Sequence, residues 1–270
     1  MEPGYEALVA LLADTGGAVV AYSGGVDSTL LTAAAHDALG GRALAVTATS
    51  HTYSVEELER ARQLARLIGV RHEVVETHEL DTPEYRANPP DRCFYCKREL
   101  FAELRRIATR EGFEVVVDGT NADDLSDFRP GRAAAAEAKV RSPFVEMGLG
   151  KADVRRLARE RGLPNADLPA NACLASRVPY GVEITAARLE RIGKAERALR
   201  SLGLALLRVR DHGEVARLEV EPGRLAETVG AGVRERVVAA CKDAGYRYVC
   251  LDLEGYRTGS MNEALPKTVR

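Results

Sequence analysis

Excess positive charge, long apolar runs and an even set of cysteines are what these 270 residues do without. Lys and Arg number 38 against 40 Asp and Glu, a formal net charge of -2. A general nucleic-acid binder neutralises phosphates and tends to be basic, so no nucleic-acid partner is expected. No stretch reaches the roughly 18 apolar residues a membrane helix needs. The opening MEPGYEALVALLAD is acidic and has no basic n-region, which argues against a secretory signal and for a cytoplasmic chain. The five cysteines, Cys93, Cys96, Cys173, Cys241 and Cys250, are an odd number. That count does not suit a disulfide scaffold; reduced thiols are expected, some of them reactive or metal-binding. No internal repeat is visible, and the only low-complexity run is the alanines at 133–136. With 46% apolar and 29% charged residues the composition is that of a globular protein. The length allows one large α/β domain and a smaller second unit.

Hydrophobic periodicity divides the chain further. Residues 16–25, GGAVVAYSGG, read as a buried strand with Ala18–Tyr22 at its core, and 26–39 as a helix closed by Gly40 and Gly41. RALAVTATS is a second strand. SVEELERARQLARLIGV is an amphipathic helix with a capping box at Ser54 and Glu57. RHEVVETHEL is a third strand, DTPEYRANPPDR a proline-rich loop, CFYCKRELFAELRRIATREG a helix, and FEVVVDGT a fourth strand. A long polar segment and a helix over Lys151–Arg161 follow. The alternation implies an open parallel sheet with helices on both faces. We expect this α/β domain over 1–165, a loop and linker over 166–183, and a small α+β domain over 184–270. In the last, a helix is followed by two strands about a turn at Asp211–His212–Gly213, then helix and strand.

Ligands of such sheets sit beyond the carboxyl ends of the strands. Ser23-Gly24-Gly25-Val26-Asp27-Ser28-Thr29 lies at that end of the first strand and opens a helix. Two glycines let the backbone turn and approach a ligand. The free amides of the helix start, with the hydroxyls of Ser23, Ser28 and Thr29, make a cradle for an oxyanion, most simply pyrophosphate. Asp27 suits that setting if Mg2+ lies between it and phosphate, or if it orders the loop. The run is neither the kinase and GTPase loop nor the dinucleotide fingerprint. A second polar loop, Asp118-Gly119-Thr120-Asn121-Ala122-Asp123-Asp124, leaves the fourth strand on the same rim. Asp118, Asp124 and then Asp123 are the Mg2+ candidates; a solvated Asx-turn is the plainer alternative.

Cys93 and Cys96 form a C-x-x-C at a helix start, where amides lower a thiol's pKa. The spacing fits a redox pair, half a zinc site, part of an iron–sulfur site, or two unremarkable thiols. Cys173 lies in a loop, NACLASR, in which Arg177 can supply positive charge to its sulfur. Cys241 and Cys250 read as core thiols.

The SGG-x-DS run resembles the PP-loop ATP pyrophosphatases, adenine nucleotide alpha-hydrolase-like enzymes that cleave ATP to AMP and pyrophosphate. The likeness implies that Ser23, Gly24, Gly25, Asp27 and Ser28 bind the phosphates. The stretches AYSGGVDST, NPPDRCFYCKRELF, VVDGTNADDLSDFRPG, VRSPF, NACLASRVPYG, LRVRDHGEVARLEV and GYRYVCLDLEGYRTGSMNEAL resemble, more specifically, the LarE family of ATP-dependent sulfur-inserting enzymes. That resemblance implies adenylation of pyridinium-3,5-biscarboxylic acid mononucleotide and replacement of AMP by sulfur. The sulfur comes from Cys173 itself or through a [4Fe–4S] cluster on Cys93, Cys96 and Cys173; the C-x-x-C departs from the single-cysteine pattern and favours the cluster type. It further implies that Arg177, Glu196, Arg208, Arg210 and Glu227 line the substrate and metal region, and that the protein is a trimer-based homo-oligomer, up to a hexamer. Arg208 and Arg210, alternate residues of one strand, point the same way and can clamp the mononucleotide phosphate. The competing readings are a tRNA thiolation enzyme of the same fold, an ammonia-using synthetase that would not need Cys173, and a nucleotide-sensing module.

Overall fold

A computed structural model describes residues 4–126, 129–169, 171–257 and 259–265. The chain divides into two compact units, Met1–Glu79 with Asp91–Asn171, and Leu80–Pro90 with Ala172–Arg270.

The first unit carries a helix α1 (Tyr5–Ala13), then β1 (Ala18–Ala21), α2 (Val26–Leu39), β2 (Ala43–Thr49), α3 (Val55–Ile68) and β3 (Arg71–Glu76). The chain then leaves for residues 80–90, which belong to the second unit and hold the short helix α4 (Pro83–Arg86). It returns with α5 (Arg92–Glu111), β4 (Val115–Val117), α6 (Gly131–Glu137), α7 (Pro143–Glu146) and α8 (Lys151–Glu160). The four strands are parallel in the order β3-β2-β1-β4. Strands buried on both faces read as unbroken apolar runs, and Ala18, Val19 and Val20 of β1 are fully buried. One face is covered by a core that joins α1, α2, α3 and α8, the other by α5 and α6 through Phe101, Leu104 and Ile107. The capping box expected at α3 is present: Ser54 accepts from the Glu57 amide at 3.2 Å, and Glu57 accepts from the Ser54 amide at 3.1 Å.

Three short helices fall inside segments that read as loop. Thr82–Pro83 and Ser142–Pro143 start α4 and α7 with proline at the first helical position, where its missing N–H costs nothing. In α6, Ala134 and Ala135 are buried with the α5 core; small side chains let that helix sit close.

The second unit contains α9 (Ala186–Ser201), β5 (Leu207–His212), β6 (Val215–Val220), α10 (Leu225–Thr228), α11 (Val233–Asp243) and β7 (Tyr248–Leu251). The β5–β6 hairpin turns at Gly213–Glu214, two residues later than the Asp211 expected to open the turn, because Asp211 and His212 stay in the ladder opposite Ala216 and Val215; β7 runs parallel to β6. α9 and α11 cover one side through Leu199, Val237 and Cys241. Cys241 is a core thiol, as expected, and burial pushes its pKa up to about 12. Cys250 is not: it alternates with the half-buried Val249 and Leu251 and is exposed together with Tyr248. Residues 80–90 join this unit through Asn88, whose side-chain amide donates to the carbonyls of Val178, Pro179 and Val182 at 2.8–3.2 Å. The expected boundary at 165–184 thus narrows to Asn171 and Ala172, with an excursion that hydrophobic patterning does not reveal.

No described helix is long and apolar enough to cross a membrane.

Candidate active site

In a parallel sheet the helix that follows each strand starts at the strand's carboxyl end. The first turns of α2, α3 and α5 therefore share one rim of the first unit with the loop after β4. At that rim the backbone turns at Gly24, φ 72°, a left-handed conformation suited to glycine. A Cβ there would stand 3.0 Å from Cα and Cβ of Ala61 on α3. Gly25 caps α2 without a side chain. The hydroxyls of Ser23 and Ser28 lie 3.1 Å apart; Ser28 accepts from the Ser23 amide at 3.2 Å and donates to the Gly25 carbonyl at 3.2 Å. These are exchangeable partners for phosphate oxygens. Thr29, grouped above with the ligand donors, has another place. It is fully buried and its hydroxyl accepts from Asn165 at 3.0 Å, so it supports the loop from behind.

Three residues not singled out in the sequence complete this rim. Lys151, the first residue of α8, pairs through its ammonium with Asp27. Asn121 donates to the other Asp27 oxygen at 3.2 Å. Asn165 donates to the Gly24 carbonyl at 3.2 Å. A signal for Lys151 existed: a cation in a helix's first turn opposes the macrodipole and asks for an anion nearby. The asparagines carried none.

The Mg2+ candidates differ from one another. Both oxygens of Asp118 are taken: Oδ1 by the Thr120 amide at 3.2 Å and the Ser142 hydroxyl at 2.7 Å, Oδ2 by the Thr120 hydroxyl at 2.8 Å. It is the plain Asx-turn. Asp123 is exposed and accepts the Lys151 amide at 2.7 Å. Asp124 is buried; it accepts the Asn121 amide at 3.1 Å and pairs with Arg129 at 2.7 Å. Burial raises its pKa, and the nearby Asp27 charge adds to the rise.

Cys93 is exposed and Cys96 half-buried, one helical turn apart at the start of α5. Phe94 between them packs into the same apolar cluster as Ala21 and Ala48, which keeps this turn at the rim. Cys173, half-buried, belongs to the second unit and caps a 3-10 turn over Leu174–Arg177. Among the described residues no three or more His, Cys, Asp or Glu side chains gather into a metal-binding set.

Arg177 engages a carboxylate and the backbone of the cysteine loop. Its fully buried guanidinium is bidentate to the equally buried Glu196 at 2.8 and 3.0 Å, and it donates to the carbonyl of Cys173 at 3.0 Å and to that of Ala172. It fixes the backbone of the cysteine loop. Burial pushes the Glu196 pKa up, but Arg177 and Arg200, the latter at 2.6 Å, overcome this and hold it below its ordinary value.

Arg210 pairs with Glu219 at 2.6 Å and donates to the Ser176 carbonyl and the Ser260 hydroxyl. Arg208 is as buried, lies over the Tyr256 ring at 4.9 Å, and has no carboxylate in salt-bridge reach among the described residues. Burial first, then repulsion from Arg177, pulls its pKa down to about 10. Arg177, Glu196, Arg208 and Arg210 are therefore one buried network. Glu227 stands apart from it on α10, exposed and paired with Arg224.

Comparison with known proteins agrees with this geometry. The asparagine synthase family matches residues 17–198. An uncharacterised protein of Synechocystis sp. is 46% identical over 250 residues, 93% of each chain. The pyridinium-3,5-bisthiocarboxylic acid mononucleotide synthase of Lactiplantibacillus plantarum is 38% identical over 261 residues, 96% of this chain and 94% of that protein. An uncharacterised protein of Methanocaldococcus jannaschii is 31% identical over 240 residues, 89% of this chain and 90% of its own. With a phosphate cradle on a parallel sheet and likeness along nearly its whole length, the chain belongs to the LarE family of ATP-dependent, adenylating sulfur transferases within the PP-loop ATP pyrophosphatases.

Proposed function

We propose that this enzyme converts the carboxylates of pyridinium-3,5-biscarboxylic acid mononucleotide to thiocarboxylates, at the expense of ATP. The reading is carried by the phosphate cradle: the Gly24–Gly25 backbone, the paired Ser23 and Ser28 hydroxyls, and Lys151 beside Asp27. A substrate carboxylate oxygen attacks the α-phosphorus of ATP, the α–β bond breaks, and pyrophosphate leaves into the cradle. Its growing charge meets amides, hydroxyls and the Lys151 ammonium. Mg2+ fits here, because it favours one or two carboxylates together with substrate phosphates; Asp27, Asp123 and Asp124 would hold it, and it would neutralise the departing charge. A sulfur nucleophile then adds to the acyl-adenylate carbon and AMP leaves.

Cys173 is the sulfur we assign, positioned by Arg177 and Glu196. As the direct donor, its thiolate forms a thioester. Loss of the Cys173 α-proton and cleavage of its Cβ–S bond release the thiocarboxylate and leave dehydroalanine. The other route is a [4Fe–4S] cluster on Cys93, Cys96 and Cys173. Cys93 and Cys96 suit two positions of such a cluster, but no triple gathers among the described residues. Arg208, buried with no carboxylate in salt-bridge reach among the described residues, is the guanidinium best suited to the mononucleotide phosphate, with Arg210 holding the loop through Ser176. The enzyme works in the cytoplasm as a trimer-based homo-oligomer in this reading.

The test is anaerobic purification followed by iron counting and mass spectrometry after one turnover with ATP and the pyridinium substrate. Pyrophosphate and thiocarboxylate form, and Cys173→Ser forms pyrophosphate but no thiocarboxylate. Iron-free protein lighter by the elements of hydrogen sulfide marks the direct route; brown, iron-bearing protein of unchanged mass marks the cluster. Full thiocarboxylate formation by Cys173→Ser overturns the assignment of its sulfur.

A further inference from the structure

Asn165 lies outside every motif above, yet its side chain reaches the centre of the phosphate loop across 141 positions of sequence. It is 6% exposed, and the turn that carries it is held firmly. Leu163 and Ala166 sit in the core of the first unit, the Leu168 amide donates to the Asn165 carbonyl at 3.0 Å, and Arg155 of α8 donates to the carbonyls of Ala166 and Leu168 at 3.0 and 2.9 Å. From that footing its Nδ2 donates to Gly24 O at 3.2 Å and to Thr29 Oγ1 at 3.0 Å.

The amide orientation is set by chemistry: reversed, Oδ1 would face the Gly24 carbonyl oxygen, acceptor against acceptor. Its Oδ1 is buried with no partner among the described residues. The bonds this side chain makes are thus those of its donor end, to the phosphate loop and to α2. In a trans peptide the C=O and the following N–H point in opposite directions. Fastening the Gly24 carbonyl to Asn165 in the interior therefore turns the Gly25 N–H outward, toward the Ser23 hydroxyl 3.4 Å away. A peptide between two glycines flips readily because neither ψ of the first nor φ of the second is restricted by a Cβ, so this plane needs an external hold.

We propose that Asn165 is a positioning residue for ATP: it locks the Gly24–Gly25 peptide so that the Gly25 amide is permanently presented to the departing pyrophosphate. The proposal rests on the phosphate-loop reading of residues 23–29. It predicts a KM effect for ATP and an unchanged requirement for Cys173.

The nearly isosteric Asn165→Asp is the informative variant. Ionised, its carboxylate repels the Gly24 carbonyl; protonated, its O–H can donate to it, as the amide did. Burial raises such a carboxyl above the ordinary value of about 4. Relative to wild type, the ATP KM of Asn165→Asp should rise about tenfold or more near neutral pH, and the deficit should shrink as pH is lowered to about 5.5. Asn165→Ala should show a deficit that does not respond to pH. Backbone NMR supplies a measurement free of variants: the Gly25 amide of wild-type protein should shift on addition of ATP with Mg2+, and should carry the test alone if the variants do not fold. The proposal is overturned if folded Asn165→Asp and Asn165→Ala keep ATP KM within about twofold of wild type, or if the Gly25 amide is unmoved while other loop amides shift. If wild type itself neither binds ATP nor releases pyrophosphate, the phosphate-loop reading fails instead.

Discussion

The phosphate loop of the first unit and the arginine network of the second both suit anions, by opposite means. The loop uses neutral donors: amides at the start of α2 and two serine hydroxyls that bond each other until a phosphate oxygen displaces them. Such a site costs little to keep empty, since each donor has a local substitute partner. The second unit uses buried guanidinium groups, and charge removed from water must be matched. Arg177 is matched by Glu196 and Arg210 by Glu219, while Arg208 has no carboxylate in salt-bridge reach among the described residues. A paired guanidinium builds the fold; one left without an anion can bind one.

That contrast breaks most sharply at Glu196. Glu196→Ala would leave Arg177 and Arg200 without their shared carboxylate in the interior, at a cost of about 3–5 kcal/mol, measured by urea unfolding. The pH dependence has a definite sign. The folded pKa of Glu196 lies below its unfolded value, so its stabilisation is complete above the unfolded value and is lost as pH falls through the folded one. An effect below about 1 kcal/mol, the range of surface pairs, would show the pair to be solvated and dissolve the comparison.

In the loop, Gly24→Ala meets both a left-handed φ and the backbone of α3. The conformational penalty alone is about 1–2 kcal/mol. The expected result is a lower melting temperature and pyrophosphate release reduced about a hundredfold. Gly25→Ala, with φ -76° and nothing closer than the Ser23 hydroxyl at 3.4 Å, should retain the fold and lose less activity.

Arg208 should behave in the opposite sense to Glu196. Removing a buried, unmatched charge, as in Arg208→Met, should leave the ligand-free protein as stable or up to about 1 kcal/mol more stable. KM for the mononucleotide should rise about tenfold or more. Because its folded pKa is lowered to about 10, its charge costs stability below that pH, and the cost lifts as pH rises through it. Calorimetric melting and substrate titration together check both halves; a loss of stability comparable to that of Glu196→Ala would mean that Arg208 has an anion after all.

The difference between the two regions also explains what the sequence disclosed. The cradle at 23–29 was legible because its determinants are local: an apolar run, two glycines and a helix start within a dozen residues. So were α3 with its capping box and the β5–β6 hairpin with its glycine turn. Asn165, Lys151 and Asn121 act on that loop from 94 to 141 positions away, as single polar residues with no periodicity to mark them. The arginines of β5 could be placed on one strand, but which of them is matched depends on Glu219 from β6, which pairs with Arg210. Thr29 and Arg177 were assigned to ligand and sulfur because both lie beside reactive residues in sequence, whereas burial turns each to a structural partner.

The smallest expected effect tests whether the rim also carries charge that waits for a ligand. Asp124 is raised by burial and by Asp27, against the pull of the Asn121 amide and Arg129. The folded state therefore holds its proton to higher pH than the unfolded chain does. Stability falls as pH rises through the interval between the two values, and the deficit persists above it. Asp124→Asn keeps an oxygen for the Asn121 amide and removes the charge. It should flatten that part of the melting curve and, after solvent screening, stabilise the ligand-free protein near neutral pH by only about half a kcal/mol. With ATP and Mg2+ the sign should reverse: ligand stabilisation depends on affinity for the folded state, and the variant should lose part of the melting-temperature gain that wild type shows. A gain identical in both proteins would assign Asp124 to the 3-10 turn alone and leave Asp27 and Asp123 as the carboxylates that face the metal.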